Sequence, residues 1–247
     1  WATVGGAIST NAAGPRSYRH GAMDNWVREL TLQTVDGPLH LARHQRPDPH
    51  HPVVRRFEGD ALPVLTAHRV AVASRWPRTT KNTAGYALDR WWWSEHLIDL
   101  VIGSEGTLGV ITDAVLRLER IPPHRAALRI ALANRHDLPR AIALLARLEP
   151  TTIELLDRSF LRLVAPQLAE SPGAPRWDQV GALLLVDLEA DRGVELDRRV
   201  AEARAAWEID AALSSLLAVQ AWAALHLPRL SLTPKADGRA AALTRGQ

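Results

Sequence analysis

The feature that most constrains this chain is the glycine-rich stretch at residues 103–112, GSEGTLGVIT. It follows an apolar run at 97–102 and precedes an alternating run at 114–118. Three glycines in seven positions require a tight turn, a positive φ or the close approach of another group. Strand alternation resumes after the loop, so a rigid element carries it. Such a loop can present backbone N–H groups to a flat or anionic ligand. A plain β-turn followed by a strand is the alternative interpretation.

A second segment of small residues lies near the beginning, at residues 2–14, ATVGGAISTNAAG. It contains no long side chain, so a ligand or another backbone could pack directly on it. It could equally be the start of a helix, with Ser9, Thr10 or Asn11 as the capping residue. The two interpretations are compatible.

Composition excludes several classes of protein. The 247 residues suit one large domain or two small ones, and no apolar run reaches the ~18 residues that a membrane-spanning helix needs. Cysteine is absent, which excludes disulfides and iron–sulfur ligation within these residues and fits a reducing, cytoplasmic location. The 30 basic and 27 acidic residues are interspersed, so we expect no nucleic-acid partner.

The pattern of apolar residues predicts an α+β chain. An Asp36-Gly37 turn indicates a hairpin at 27–42, and Pro122-Pro123 indicates a domain boundary. Strands alternate with helices after that boundary, which favours helices on one face of a sheet. The ranges predicted to be helical are 57–75, 138–148, 152–164, 194–207 and 218–232, and the predicted strands after the boundary are 127–133 and 181–189. On the helix at 152–164, the apolar face is predicted to be Ile153, Leu156, Phe160 and Leu163.

Two side-chain clusters invite a functional interpretation. Trp91, Trp92 and Trp93 cannot all face one core, so at least one is expected at an interface. His44, His50 and His51 lie in a loop rich in proline and arginine. Adjacent histidines in such a loop are more typical of a solvated surface than of a metal site, so no metal is predicted.

Taken in order, the motifs resemble one family. The segment at 5–14, the hairpin, KNTAGYAL at 81–88 and the glycine-rich stretch are similar to FAD-linked oxidases of the vanillyl-alcohol oxidase type. That family includes glycolate oxidase subunits and D-lactate and D-2-hydroxyglutarate dehydrogenases. Residues 16–21, RSYRHG, together with 81–86, look most like the branch whose flavin domain is fused to an iron–sulfur module.

The resemblance implies a domain organisation and a cofactor. Residues 1–123 would form the C-terminal subdomain of a PCMH-type FAD-binding domain, whose N-terminal subdomain is missing from this chain. Residues 124–247 would form part of a ferredoxin-like cap domain over the substrate side. The residues implied to contact FAD, largely through their backbone, are Gly6, Ser9, Thr10, Asn11, Ala12, Glu105, Gly106, Thr107, Leu108, Gly109, Val110 and Ile111.

The implied reaction is oxidation of a small 2-hydroxy acid, with hydride passing to the flavin. Substrate candidates are Lys81 and Arg229; no residue is identified as catalytic. His20 stands where the family usually has tyrosine, and residues 222–225 lack the arginine that binds the substrate carboxylate in the family.

The partners follow from the same resemblance. An iron–sulfur cluster would lie only in a missing or separate part and is a candidate electron acceptor, and peripheral membrane association would run through a partner. Because the sequence begins and ends without a closing element, we expect a fragment that is inactive and binds FAD weakly by itself. The alternative is a truncated, non-catalytic protein that uses a flavin fold for binding or assembly.

Overall fold

The computed structural model describes residues 2–79, 81–168, 177–209, 216–222, 230–233 and 242–245. Backbone contacts divide the chain into two compact units. Unit 1 comprises residues 1–14 and 21–119, and unit 2 comprises residues 15–20 and 120–247. The domain identities implied by the resemblance stay predictions.

The secondary structure mixes helices and strands, which confirms the α+β class. The helices are α1 (Val4–Ser9), α2 (Ser17–His20), α3 (Pro52–Arg56), α4 (Leu62–Ala67), α5 (Arg69–Arg75), α6 (Leu88–Ser94), α7 (Ile98–Val101), α8 (Leu138–Ala146), α9 (Arg158–Leu168) and α10 (Gly193–Ile209). The strands are β1 (Val27–Thr34), β2 (Gly37–Ala42), β3 (Val110–Leu116), β4 (His124–Leu132), β5 (Thr152–Asp157), β6 (Ala182–Ala190), β7 (Leu216–Trp222), β8 (Leu230–Thr233) and β9 (Ala242–Arg245). A π-helical turn at Phe57–Ala61 joins α3 to α4. Single 3-10 turns lie at Met23–Asn25, Arg135–Asp137 and Trp177–Gln179. No helix in the described ranges is both long and apolar enough to cross a bilayer.

Unit 1 is built on an antiparallel sheet in the order β2-β1-β3. The predicted hairpin is confirmed: β1 pairs with β2 from Glu29↔Ala42 to Thr34↔Gly37. Alternate residues of these strands, including Leu30, Leu32, Leu39 and Leu41, are buried in one core with the apolar residues of α7. The apolar run before the glycine-rich stretch contains the short helix α7, residues 103–109 of the stretch connect that helix to β3, and the last three residues of the stretch begin β3.

Unit 2 is built on an antiparallel sheet in the order β5-β6-β4-β7, with a separate β8-β9 pair. Leu128, Ile130 and Leu132 of β4 share a core with residues of α8 and α10. Ala131, which lies between Ile130 and Leu132 on the same strand, shares a second core with Leu161 of α9. Because neighbouring strand residues point to opposite faces, α8 and α10 cover one face and α9 covers the other. The prediction of helices on one face only was therefore wrong. On the same strand, burial lowers the pKa of the Arg129 guanidinium, which lies 5.8 Å from the Trp177 ring centre.

The helix predicted at 152–164 was wrong in its first half, because β5 occupies Thr152–Asp157. Pairing with β6 supplies the backbone partners that a helix would otherwise provide. The helix begins only at Arg158, where the Phe160 N–H donates to Asp157 Oδ1 at 2.8 Å. Leu161 of this helix is 1% exposed, whereas Leu163, predicted on the same apolar face as Phe160, is 77% exposed.

Two further expectations were wrong. The apolar tail predicted as a helix at 218–232 contains β7 and β8, with residues 223–229 outside the described part of the chain. The run LLAVQAW pairs along β4 instead, since a sheet edge can override helical propensity. No strand or helix was expected near the end of the chain, but β9 lies there and pairs with β8.

Candidate functional site

The two glycine- and hydroxyl-rich segments lie side by side in unit 1, although about ninety residues separate them. The Gly103 N–H donates to the Ile8 carbonyl at 3.1 Å, and the Glu105 N–H donates to the Ser9 carbonyl at 2.8 Å. Two backbone hydrogen bonds thus join the end of α1 to the start of the glycine-rich loop. We call residues 8–12 the first wall and residues 103–111 the second wall.

Sequence reasoning predicted that a helix could start near Ser9, Thr10 or Asn11. The helix of the first segment, α1, instead ends there. Thr3 caps the start of α1 by accepting a hydrogen bond from the Gly6 N–H at 3.0 Å, so the expectation that Ser9, Thr10 or Asn11 caps the start of a helix was wrong. Thr10 instead ends the helix, and Asn11 follows with a φ of 44°. Asparagine is one of the few residues that adopt this left-handed conformation readily.

The loop of the second wall requires glycine at its base. Gly103 has a φ of 87°, and a Cβ built there would lie 3.3 Å from the Cβ of Asn11. At the other end, Gly109 has a φ of 152°, and its Cβ would lie 2.6 Å from the Gln33 carbonyl oxygen of β1. The two glycines therefore let the loop approach the first wall and the sheet closely.

Between those anchors the loop projects into solvent. Glu105, Gly106, Thr107 and Leu108 are exposed, whereas Gly103 and Ser104 are buried. Gly106 has a φ of 79°, and no atom lies within 4 Å of the place where its Cβ would be. Within the described ranges, the N–H groups of Gly106 and Leu108 donate to no protein acceptor. The loop thus offers bare backbone and free donors, which fits a flat, hydrogen-bonding group such as FAD.

The third motif, residues 81–86, reaches both walls. The Lys81 ammonium donates to the Ala13 carbonyl at 2.7 Å, immediately after the first wall. The Tyr86 hydroxyl lies 2.7 Å from Thr107 Oγ1, and Thr107 Oγ1 in turn donates to the Ser104 carbonyl at 2.6 Å. The structure therefore brings Lys81, predicted from sequence as a substrate candidate, to the same site, and it adds Tyr86.

The remaining predicted site residues are positioned as follows. Gly6 lies within α1, and the Ala12 carbonyl accepts from the Met23 N–H at 3.1 Å. Val110 and Ile111 belong to β3, paired with Gln33 and Leu32 of β1. Arg229 lies outside the described residues. Contact between any of these residues and FAD stays a prediction.

A buried polar pair beneath the first wall was missed by sequence reasoning. The side chain of Asn11 is hydrogen-bonded to Asp24, and Arg90 forms an ion pair with the same aspartate. Only the tertiary fold brings these residues together, since Arg90 lies in α6 and Asp24 lies before β1.

The tryptophan cluster at 91–93 and the predicted histidine cluster lie outside the two walls. Trp91 is 4% exposed and Trp93 is 89% exposed, so the three tryptophans do not share one core; their role at an interface stays a prediction. His51 accepts from the Val53 N–H through Nδ1 at the start of α3, and the His44 and His96 rings meet edge to face. In the part of the chain that the structure describes, no three metal-ligating side chains cluster.

Comparison with known proteins identifies the relatives. Residues 1–42 match the FAD binding domain family. The D-lactate dehydrogenase of Archaeoglobus fulgidus is 27% identical over 214 residues, covering 85% of this chain and 38% of that protein. The D-2-hydroxyglutarate dehydrogenase of Xanthomonas citri pv. viticola is 29% identical over 70% of this chain and 28% of its own length. The glycolate oxidase subunit GlcD of Bacillus subtilis is 24% identical over 66% of this chain and 26% of its own length.

A solved structure of alkyldihydroxyacetonephosphate synthase shares the fold, with a TM-score of 0.51 and 16% identity. It aligns over 88% of this chain and 34% of that one. The chain thus spans 38% and 35% of two D-lactate dehydrogenases, 28% of the D-2-hydroxyglutarate dehydrogenase and 26% of GlcD, well under half of each relative's length.

These matches confirm the resemblance to FAD-linked oxidases, the α+β fold class and FAD as the cofactor of the family. The iron–sulfur branch and the electron acceptor stay predictions.

Proposed function

We propose, from its place among relatives of FAD-linked hydroxy-acid dehydrogenases, that this chain is part of an FAD-dependent oxidoreductase. Its substrate would be a 2-hydroxy acid of the D-lactate, glycolate or D-2-hydroxyglutarate type. The observation that carries the proposal is the pairing of the two walls through the Gly103–Ile8 and Glu105–Ser9 hydrogen bonds. This pairing gathers the motifs of the resemblance into one exposed site.

The chemistry that FAD supplies when bound is acceptance of a hydride from the carbon that bears the hydroxyl. The contribution of this chain is to bind and orient. The exposed Gly106 backbone allows close approach, and the free N–H groups of Gly106 and Leu108 can donate to ring or phosphate acceptors. Tyr86 fixes the loop through Thr107, so the donors are held in place before any ligand arrives.

Lys81 gives the site a positive charge. Its ammonium is held by the Ala13 carbonyl, and an ammonium has three donors, so two stay available after that bond. A point charge of this kind suits the carboxylate of a hydroxy acid or an anionic part of the cofactor. We propose Lys81 as the anion-binding side chain of this site.

The test uses the protein at the full length that its gene encodes. We expect the purified protein to show the visible absorption bands of oxidised flavin, or to acquire them on addition of FAD. Under anaerobic conditions, D-lactate, glycolate and D-2-hydroxyglutarate are then added separately, with L-lactate as the stereochemical control. Bleaching of the long-wavelength band by one of the three and not by L-lactate supports the proposal.

Two results would count against it, each in a different way. A colourless protein that gains no flavin absorbance with added FAD rejects the flavoprotein assignment. A yellow protein that none of the three hydroxy acids bleaches rejects the substrate class and favours the non-catalytic binding or assembly module. Lys81→Ala, compared with Arg78→Ala three positions before it, tests the lysine: only the former should raise the KM for the hydroxy acid.

A further inference from the structure

The conformation of the first wall depends on Asn11. This residue is 6% exposed and has a φ of 44°, so it is a buried residue in the left-handed region. Its Cβ lies at the base of the second wall, where Gly103 leaves just enough room for it. A change in the backbone conformation of Asn11 would move Ser9, two residues before it. It would thereby disturb both walls, because the Ser9 carbonyl accepts the Glu105 N–H.

Asp24 holds both ends of the Asn11 amide. The Asp24 backbone N–H donates to Asn11 Oδ1 at 2.9 Å, and Asn11 Nδ2 donates to Asp24 Oδ2 at 3.2 Å. Both residues are buried. A two-point contact of this kind fixes the orientation of the amide as well as its position.

Two arginines in turn hold Asp24. Arg90 of α6 places Nη2 3.0 Å from Asp24 Oδ2, the same oxygen that accepts from Asn11. Arg43 donates to the Asp24 carbonyl at 2.8 Å and forms an ion pair of 2.9 Å with the buried Asp99. The carboxylate of Asp24 therefore accepts from an amide and a guanidinium at once, which a neutral side chain would do less well.

We infer that Asp24 is a positioning residue for the flavin, acting through Asn11 on the two walls. This inference rests on the proposed function, because it assigns the walls to the cofactor. Asp24 need not touch the cofactor; its carboxylate keeps the Asn11 amide in one orientation and so keeps the walls in register. The essential interaction is one donor facing one acceptor across the side chains of residues 11 and 24, in either direction.

The experiment exchanges the side-chain amide of Asn11 and the carboxylate of Asp24 between the two positions. Asn11→Asp places a carboxylate about 3 Å from that of Asp24, and charge repulsion should weaken FAD binding about tenfold or more. Adding Asp24→Asn removes the second carboxylate and provides an amide that can donate back to the carboxylate introduced at position 11. We expect the double variant to bind FAD at least about threefold more tightly than Asn11→Asp alone. FAD dissociation constants are measured by flavin fluorescence on the full-length apoprotein, together with the thermal unfolding midpoint of each variant.

Two controls separate positioning from general stability. Asp89→Asn removes a carboxylate from the exposed position next to Arg90 and should leave FAD affinity unchanged. Leu39→Ala opens a cavity in the core of unit 1 and should lower the unfolding midpoint without raising the FAD dissociation constant comparably. If affinity follows the unfolding midpoint in all variants, Leu39→Ala included, the positioning role is overturned.

The remaining outcomes are distinct. A double variant that binds FAD no better than Asn11→Asp overturns the positioning role alone, as does unchanged affinity in Asn11→Asp. Failure of the unaltered protein to bind FAD overturns this inference together with the proposed function.

Discussion

Alanine substitution in the glycine-rich stretch should separate backbone strain from steric overlap. Gly106 and Gly109 both have a positive φ, at 79° and 152°. A Cβ at Gly106 would meet no atom within 4 Å, whereas a Cβ at Gly109 would lie 2.6 Å from the Gln33 carbonyl oxygen and 2.9 Å from Leu32 Cγ. Both substitutions therefore place a side chain at a positive φ, and only Gly109→Ala adds a clash.

The magnitudes follow from these distances. Gly106→Ala should cost about 1–2 kcal/mol, because a residue with a side chain is strained in the left-handed region. Gly109→Ala adds overpacking against β1, which typically costs about 1–3 kcal/mol, so we expect a total loss of roughly 2–5 kcal/mol. The closest clash is with the Gln33 backbone carbonyl, which cannot rotate away as the end of a flexible side chain could. Gly59→Ala, in the π-helical turn with open space around it, should be neutral or slightly stabilising.

The assay is urea unfolding followed by both circular dichroism and tryptophan fluorescence. Coincident transitions justify a single free energy of unfolding, and the midpoint shifts at constant slope give the differences. We expect the order of stability to be Gly59→Ala, then Gly106→Ala, then Gly109→Ala. If Gly109→Ala is no less stable than Gly106→Ala, the close approach of the loop to β1 is wrong.

Three further substitutions test other parts of the fold. Leu161→Ala should destabilise by about 2–5 kcal/mol, while Leu163→Ala should change stability by less than about 0.5 kcal/mol; equal losses in urea unfolding would contradict the assigned buried face of α9. Trp91→Ala should cost about 3–5 kcal/mol and Trp93→Ala far less, and fluorescence quenching by iodide should fall most in the Trp93 variant. Thr3→Ala removes the cap of α1 and should cost about 0.5–2 kcal/mol in the same unfolding assay, and Thr3→Ser should restore most of it.

The local elements with strong signals were predictable. The hairpin was specified by Asp36-Gly37 between alternating apolar residues, and the strand of β6 by its continuous apolar run. The glycine-rich stretch and the segment of small residues were both recognised as unusual from their composition. In each case the information lies within a few residues of sequence, where turn chemistry and side-chain periodicity act directly.

The errors arose where pairing with a distant strand decided the structure. Residues 152–157 show apolar spacing that is compatible with a helix, yet they pair with β6, and LLAVQAW at 216–222 pairs with β4. The amino acids of a short segment do not show whether a sheet edge will be available beside it. Such an edge provides hydrogen-bond partners for alternate backbone N–H and C=O groups of the strand that joins it. In both segments, backbone pairing with a neighbouring strand therefore outweighed the helical spacing of the apolar residues.

The same division applies to the site. The segments that could form its walls were recognisable from their amino acids alone, because only glycine and small residues permit close backbone approach. The contact between the walls, through the Gly103–Ile8 and Glu105–Ser9 hydrogen bonds, arises only on folding, as does the hydrogen bonding of Asn11 to Asp24. Contacts across so many residues depend on how α1, the sheet and α6 pack together, and that packing is a property of the whole core of unit 1.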